Sequence, residues 1–382
     1  MAIYLLLLTS IERIAGLFPT YFSIFFLATG MLGGLYTLRI SRVRKESVFL
    51  IILIPFLFLS GLSYGFSLEK LFRAIQLTIL ILTFIYISHV LTVDSFFKLF
   101  SILAPVLIAV FCLELIVKHD LRSAFLNLDI DYFIYSGGTS FYNELKGRGS
   151  GVQLVAQGNV YAAALAGCTA IVNFLNRRYG YAACCLFLAI CTGSRAILVS
   201  AFCIITLISV WRYMPAFRPL LTRGFAAVII LQPIAFLNIQ ALLSDEVNEF
   251  LLSLSPRYVS FIAYSNMGLE NVFGVGLFQG KTFAEYFFAR WPIAAHNISL
   301  SVFGELGILA YICWSGFLWQ VAKVLKNNLA GSVLFVYTVT MFSFIGGFNE
   351  FSFWIPLGLA VTLAESNFRV FEERKSQTHP HF

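Results

Sequence analysis

Charged residues are scarce in this chain: Asp, Glu, Lys and Arg make up 12% of its 382 residues, against 59% hydrophobic, and the mean hydropathy is +0.85. A soluble domain carries about 25% charged residues, so that class is excluded. Alternation of period two is missing as well, which excludes an outer-membrane β-barrel. There is no GxxxxGK[ST] loop for a nucleoside triphosphate, and no CxxC or Cys/His cluster with metal-ligand spacing. The seven Cys (112, 168, 184, 185, 191, 203 and 313) all lie in or beside apolar runs, which leaves the long polar segments without a disulfide. The nearest approach to an acidic pair for a nucleotide-sugar metal is "LDIDY", with Asp129 and Asp131, and it reads as a solvated loop.

What the sequence has instead is one apolar run after another. A bilayer core takes about 20 predominantly apolar residues per helix. On that measure spans fall near Tyr21–Leu38, Val48–Phe66, Ala74–Leu91, Leu99–Val117, Asn159–Leu175, Tyr179–Gly193, Ala196–Trp211, Gly224–Leu242, Asn297–Trp319, Leu329–Phe348 and Phe351–Ser366. The expected fold is all-α, a polytopic membrane protein of about 11–12 transmembrane helices built as a single integral membrane domain over residues 1–382. The opening "MAIYLLLLTSIERIAGLFP" holds Glu12 and Arg13 inside an apolar run, and is either a twelfth span or a segment lying in the interface. It has neither the basic start nor the small-residue cleavage site of a signal peptide.

Lys and Arg collect in short cytoplasmic loops. If the spans alternate, "RISRVRK" (39–45), Lys98, Arg177 with Arg178, the loop of Arg212, Arg218 and Arg223, Lys323 with Lys326, and the tail "RVFEERK" share one side. They account for 15 of the 26 Lys and Arg, so the net charge of +7 is mostly a topological signal and implies no nucleic-acid partner. The same alternation puts two long segments outside, residues 118–158 and 243–295. Loops of that length in a chain otherwise trimmed to tight turns are where function is expected. In the second, Leu251, Leu252, Leu254, Tyr258 and Ile262 interleave with Ser and Arg and predict an amphipathic helix against the membrane.

Three arginines reach that outer side in polar, glycine-containing contexts: Arg148 in "ELKGRGSGVQLVAQGN", Arg195 in "CTGSRA", and Arg257 in "LSPRYVSFIAYSNMGLENVFGVGLFQG". A guanidinium is always charged and offers a planar fork suited to phosphate oxygens. Three converging would form an anion clamp, while each alone also reads as a snorkelling anchor or a solvated loop charge. His296 and Asn297 open a span, and Glu305 follows nine residues on, about two and a half turns deeper. Near the interface a histidine serves as a general base, as an anion ligand when protonated, or simply as a cap. Gly304 and Gly307 flank Glu305 and would let another helix come close, with Glu305 either bonded between helices or handling protons.

"HNISLSVFGELGILAYI" resembles the His-Asn-x-x-Leu…Glu-x-Gly signature of the bacterial O-antigen ligase and O-antigen polymerase superfamily, and "TGSRA" resembles its Ser-Arg turn. "SPRYVSFIAYSNMGLENVFGVGLF" is similar to that family's arginine, amphipathic stretch and Gly-x-Gly ahead of the histidine helix. Gly268 follows Arg257 after ten residues, the Arg-x10-Gly spacing of the polymerase branch; around Arg148 the fit is looser, with Gly158 one residue short. Ala310 departs from the ligase pattern, which often has glycine, threonine or tyrosine there.

The resemblance implies a membrane glycosyltransferase of the inner (cytoplasmic) membrane, working by inverting, metal-independent transfer at the periplasmic face without a cofactor. The donor is an undecaprenyl-pyrophosphate-linked oligosaccharide. The acceptor is another lipid-linked repeat unit (polymerase) or lipid A-core (ligase). His296, Arg257 and Arg195 are expected to be catalytic, with Arg148, Asn297 and Glu305 binding substrate. The lipid bilayer is a partner throughout, and a chain-length regulator is a further expected one. The Arg-x10-Gly spacing, the compact length and the lack of an extra soluble stretch lean toward the polymerase. A secondary transporter or lipid-linked-sugar flippase is the competing class, disfavoured because no internal repeat is visible and Glu114 and Glu305 are the main charges within spans.

Overall fold

The computed structural model describes residues 44–60, 68–118, 159–192, 194–242, 256–277, 279–287, 295, 297–344 and 351–366. Among them there is helix and turn and no strand. In chain order the helices are α1 (Lys45–Leu59), α2 (Leu68–Val90), α3 (Val93–Lys118), α4 (Asn159–Leu175), α5 (Tyr179–Cys191), α6 (Arg195–Tyr213), α7 (Arg218–Leu242) and α8 (Pro256–Glu270). After short turns at Gly280–Phe283 and Ala284–Phe287 come α9 (Ile298–Ser301), a π-helical segment at Val302–Leu306, α10 (Gly307–Leu325), α11 (Leu329–Phe342) and α12 (Phe351–Glu365). Among the described residues three stretches are long and apolar enough to cross a bilayer, Arg73–Val90, Ala196–Tyr213 and Ile298–Leu325, and shorter apolar helices accompany them. The chain is an all-α polytopic membrane protein. The expected span Tyr21–Leu38 and the opening segment lie outside the described residues.

Lipid is as apolar as leucine, so helices in a bilayer associate through close packing and internal hydrogen bonds and not through removal of apolar surface from water. The centre of this bundle has that character. Trp314 and Phe317 of α10, Phe84 of α2, and Phe353 and Trp354 of α12 are all buried, with ring centroids 5.2–6.2 Å apart. α10 packs on α1 and α7, and α11 packs between α12 and α6. α6 sits at the rim: only 28% of its span is buried, and Leu198, Phe202 and Ile205 are exposed, as lipid-facing residues should be.

Polar contacts, some buried and some partly exposed, tie the turns at one end of the bundle, the end where the basic residues collect. Arg44 pairs with Glu365. Asn328 caps α11 by accepting from Gly331 N–H at 2.8 Å and donates to Leu363 O at 2.9 Å. Thr222 and Ser332 hydroxyls meet at 2.9 Å, and Asn173 donates to Phe100 O at 3.0 Å. Arg218 donates to Trp211 O at 2.9 Å and lies over the Trp211 ring, which closes the turn between α6 and α7.

Two sequence expectations are refined. The span foreseen at Asn297–Trp319 starts at Ile298, is interrupted at Val302–Leu306, and runs on to Leu325. Of the amphipathic stretch foreseen in the second long loop, Leu251, Leu252 and Leu254 lie outside the described residues, while Tyr258 and Ile262 fall in α8, where Val259, Ile262, Ala263, Tyr264 and Met267 are buried against protein and Leu269 and Glu270 at its end are exposed.

Candidate active site

The helix that begins at Ile298 breaks one turn before mid-length. Val302–Leu306 winds as π-helix, and Gly307 follows at φ 84°, ψ 177°, a conformation open essentially to glycine alone. The carbonyls of Gly304 and Glu305 thereby lose the donors that a continuous helix would supply. An unpaired carbonyl in a bilayer costs several kcal/mol, on the order of the penalty for any orphaned polar group. Both are satisfied from the second long loop: Val275 N–H donates to Gly304 O at 3.2 Å, and Gly276 N–H donates to Glu305 O at 2.9 Å. The two backbones come too close for side chains. A Cβ at Gly274 (φ 68°) would strike Glu305 O, and one at Gly307 would strike Val272 O. This seam gives the Gly-x-Gly of the sequence its physical reason.

α8 lies along the same seam, packed on the π-helical segment and on α7. Gly304 lets it in, since a Cβ there would stand 2.9 Å from Tyr264 Cδ1 and from Tyr264 O. The halves on either side of the break stay in register through Trp314 Nε1, which donates to Ser299 Oγ at 3.3 Å, and through the rings of Phe303 and Tyr311, 5.0 Å apart. Tyr264 is 1% exposed. Burial first, and then the charge of Glu305, push its phenol well above the usual tyrosine value, against a lowering hydrogen bond with the backbone of Ala295. Tyr264 is thus a neutral hydroxyl at physiological pH, and it joins α8 to the residue that precedes His296.

Asn297 is 1% exposed, and both ends of its amide are bonded. Its Oδ1 accepts from Leu300 N–H at 3.1 Å, capping α9. That bond settles which way the amide faces: Nδ2 must point at Ser343 O, which can only accept, and donates to it at 3.2 Å. The remaining Nδ2 proton goes to Gln232 Oε1 at 2.8 Å. Gln232 lies within α7 immediately before Pro233, where the proline breaks the helical ladder. Tyr311 donates to Ile230 O at 2.6 Å and Ser265 donates to Pro233 O at 3.3 Å, so α10 and α8 bond to the same turn.

Of the residues singled out in the sequence, Arg148 and His296 lie outside the described residues. Arg257 and Arg195 are described in their backbones: Arg257 is in the first turn of α8, seven residues and so two turns before Tyr264 on the same stripe, and Arg195 is the first residue of α6. Asn297 and Glu305 come together with α8 at the seam, Asn297 as cap and strut and Glu305 as a buried carboxylate, 8% exposed, felt by Tyr264. Glu114 belongs to α3. Sequence reasoning passed over Gln232 and Tyr264. An amide directly before a proline inside an apolar run was the available signal for the first, since such a group is costly in a bilayer unless bonded. The Arg-x6-Tyr stripe of α8 was the signal for the second. Among the described residues no three His, Cys, Asp or Glu side chains gather as metal ligands do.

A family model described as O-antigen ligase matches residues 180–315, from the first turn of α5 into α10. The match takes in Arg195, Arg257, His296, Asn297 and Glu305 and stops short of Arg148. No curated protein and no solved structure matches the chain.

Proposed function

We propose that this chain, whose residues 180–315 match a family model described as O-antigen ligase, belongs to the O-antigen ligase and polymerase superfamily and is the polymerase that lengthens a surface polysaccharide at the periplasmic face of the inner membrane. Glycosyl transfer in an O-antigen pathway is the function of that family; donor, acceptor and sidedness are our reading. The hydroxyl of one lipid-linked repeat unit attacks C1 of the sugar on undecaprenyl pyrophosphate. The new C1–O bond forms as the bond from C1 to the pyrophosphate oxygen breaks, with inversion. His296 takes the proton of the attacking hydroxyl, and undecaprenyl pyrophosphate leaves with the bonding pair. Arg257 and Arg195, with Arg148 from the other long loop, balance the charge that grows on the leaving oxygens. Donors fixed in place before reaction stabilise such charge most, because nothing has to reorganise when it appears.

The observation that carries this reading is the seam. Backbone bonds from Val275 and Gly276 to Gly304 and Glu305, together with Tyr264 against Ala295, hold the loop helix that starts beside Arg257 onto the helix that starts just after His296. A helix in a bilayer would keep its carbonyls paired internally, and interrupting one to dock a loop fits a cleft open to lipid on one side and water on the other. The ligase is the second reading, favoured by the description of the matching family model.

Purified protein supplied with lipid-linked repeat units should convert them to a ladder of longer lipid-linked chains with release of undecaprenyl pyrophosphate. A product formed only when lipid A-core is added would make it the ligase, and movement of intact donor between leaflets without a new glycosidic bond would make it a flippase. Sidedness has its own test. A cysteine at Glu270 should react with an impermeant thiol reagent in intact spheroplasts, above the background of the native thiols, whereas one at Lys326 should react only after lysis. The opposite pattern would invert the topology.

A further inference from the structure

We infer that Gln232 is a positioning residue for the transfer step, acting on His296 through Asn297; this rests on the reading of His296 as the base. Asn297 directly follows His296, so the orientation of the Asn297 backbone sets where the histidine leaves the chain. Three bonds fix the side chain of that asparagine, and one of them belongs to α9 itself, the cap on Leu300 N–H. The other two come from different helices: Ser343 O at the end of α11 and Gln232 Oε1 in α7. Only the Gln232 bond comes from a side chain, and so only it can be removed by substitution without touching the backbone.

Gln232 is placed to report the position of α8 as well. Pro233, the next residue, accepts from Ser265 of α8 through its carbonyl at 3.3 Å, and Ser265 is fully buried. Ile230 accepts from Tyr311 of α10 at 2.6 Å. One turn of α7 around Pro233 therefore holds three parts of the site at once: the helix carrying Arg257, the start of the histidine helix, and the helix beyond the break. These carbonyls face neighbouring helices closely enough to accept from their hydroxyls. Gln232 adds the acceptor that a backbone cannot offer at that height, because its side chain bridges to an amide that is already bonded on its other two sides.

The test uses the full-length purified enzyme with lipid-linked repeat units and compares Gln232→Met, which keeps the length and loses the acceptor, with Gln232→Glu, which keeps the acceptor. The expected result is a fall in kcat of about tenfold or more for Gln232→Met at an unchanged KM for the lipid-linked donor, and recovery of most of that loss in Gln232→Glu. In a His296→Ala background Gln232→Met should bring no further loss, since a residue acting through the histidine has nothing left to orient. Wild-type kcat in Gln232→Met beside an inactive His296→Ala would overturn the inference and leave the function standing. A loss that persists undiminished in the His296→Ala background, or that Gln232→Glu shares in full, would make Gln232 a structural residue only. Normal activity of His296→Ala itself would remove the reading on which the inference rests.

Discussion

The two ends of this bundle handle buried polar groups in opposite ways. At the end where basic residues collect, side chains fasten one helix to the next without breaking either: Asn328 to Leu363 O, Asn173 to Phe100 O, Thr222 to Ser332, Arg44 to Glu365. At the other end the helices themselves are opened. The Ile298–Leu325 helix is interrupted at Gly307 and α7 carries Pro233, which takes one donor out of its ladder, and backbone carbonyls along both accept from outside the helix: from a loop, from Ser265 and from Tyr311. Polar contact at the first end closes turns and fastens helices. At the second end it builds an irregular backbone at membrane depth, which is tolerated only where protein buries it or where it lines a cavity. The end that gives up regular helix is therefore the end where chemistry is to be sought.

If that contrast holds, substitutions at the two ends should separate activity from stability. The largest effect is expected at Gly307. Valine there must adopt a backbone conformation that side chains avoid and must also displace Val272 O, so Gly307→Val should lose more than about 100-fold in chain extension and reduce the folded protein recovered by size-exclusion chromatography. Next comes Arg257. Arg257→Ala should lose roughly 10²- to 10³-fold in kcat while inserting normally, and Arg257→Lys should recover only part of it, since the ammonium keeps the charge and gives up the fork. Full activity of Arg257→Lys would show that a point charge suffices.

The basic end should answer differently. Asn328→Ala removes the cap of α11 and the bond to Leu363 O, and should lower thermal stability in detergent by about 1 kcal/mol with kcat unchanged. Smallest of all is Glu365→Gln. The pair with Arg44 is partly exposed, and pairs of that kind contribute less than about 1 kcal/mol, so neither melting nor activity should move beyond that. A large activity loss in either variant would dissolve the distinction between the ends.

The membrane fold was legible because hydropathy alone demands it: the span read at Asn159–Leu175 is α4 residue for residue, and those read at Tyr179–Gly193 and Phe351–Ser366 differ from α5 and α12 only at their last residues. The break at Gly307 was not legible. "SVFGELG" is apolar enough to continue a helix, and the interruption is enforced from outside, by Val275 and Gly276 arriving from thirty residues earlier in the chain. Glycines 274 and 276 were noticed as a motif, but what they touch is tertiary information. Asn297 is expected from the sequence to meet substrate; what the sequence did not show is that it also caps a helix and bonds to Gln232 and Ser343, because an amide at a helix start is drawn first to the free N–H groups there. Gln232 is not legible as special because the apolar residues around it keep the hydropathy of its span high, and Asn238 and Gln240 in the same span look no different.

The most direct measurement of the account's central claim is chain extension by purified His296→Ala with lipid-linked repeat units, at matched protein and with normal membrane insertion. If the opened end of the bundle is the transfer site and His296 its base, the rate should fall by roughly 10²- to 10⁴-fold, the range for removing a positioned acid or base. A ladder formed at close to the parent rate would contradict it.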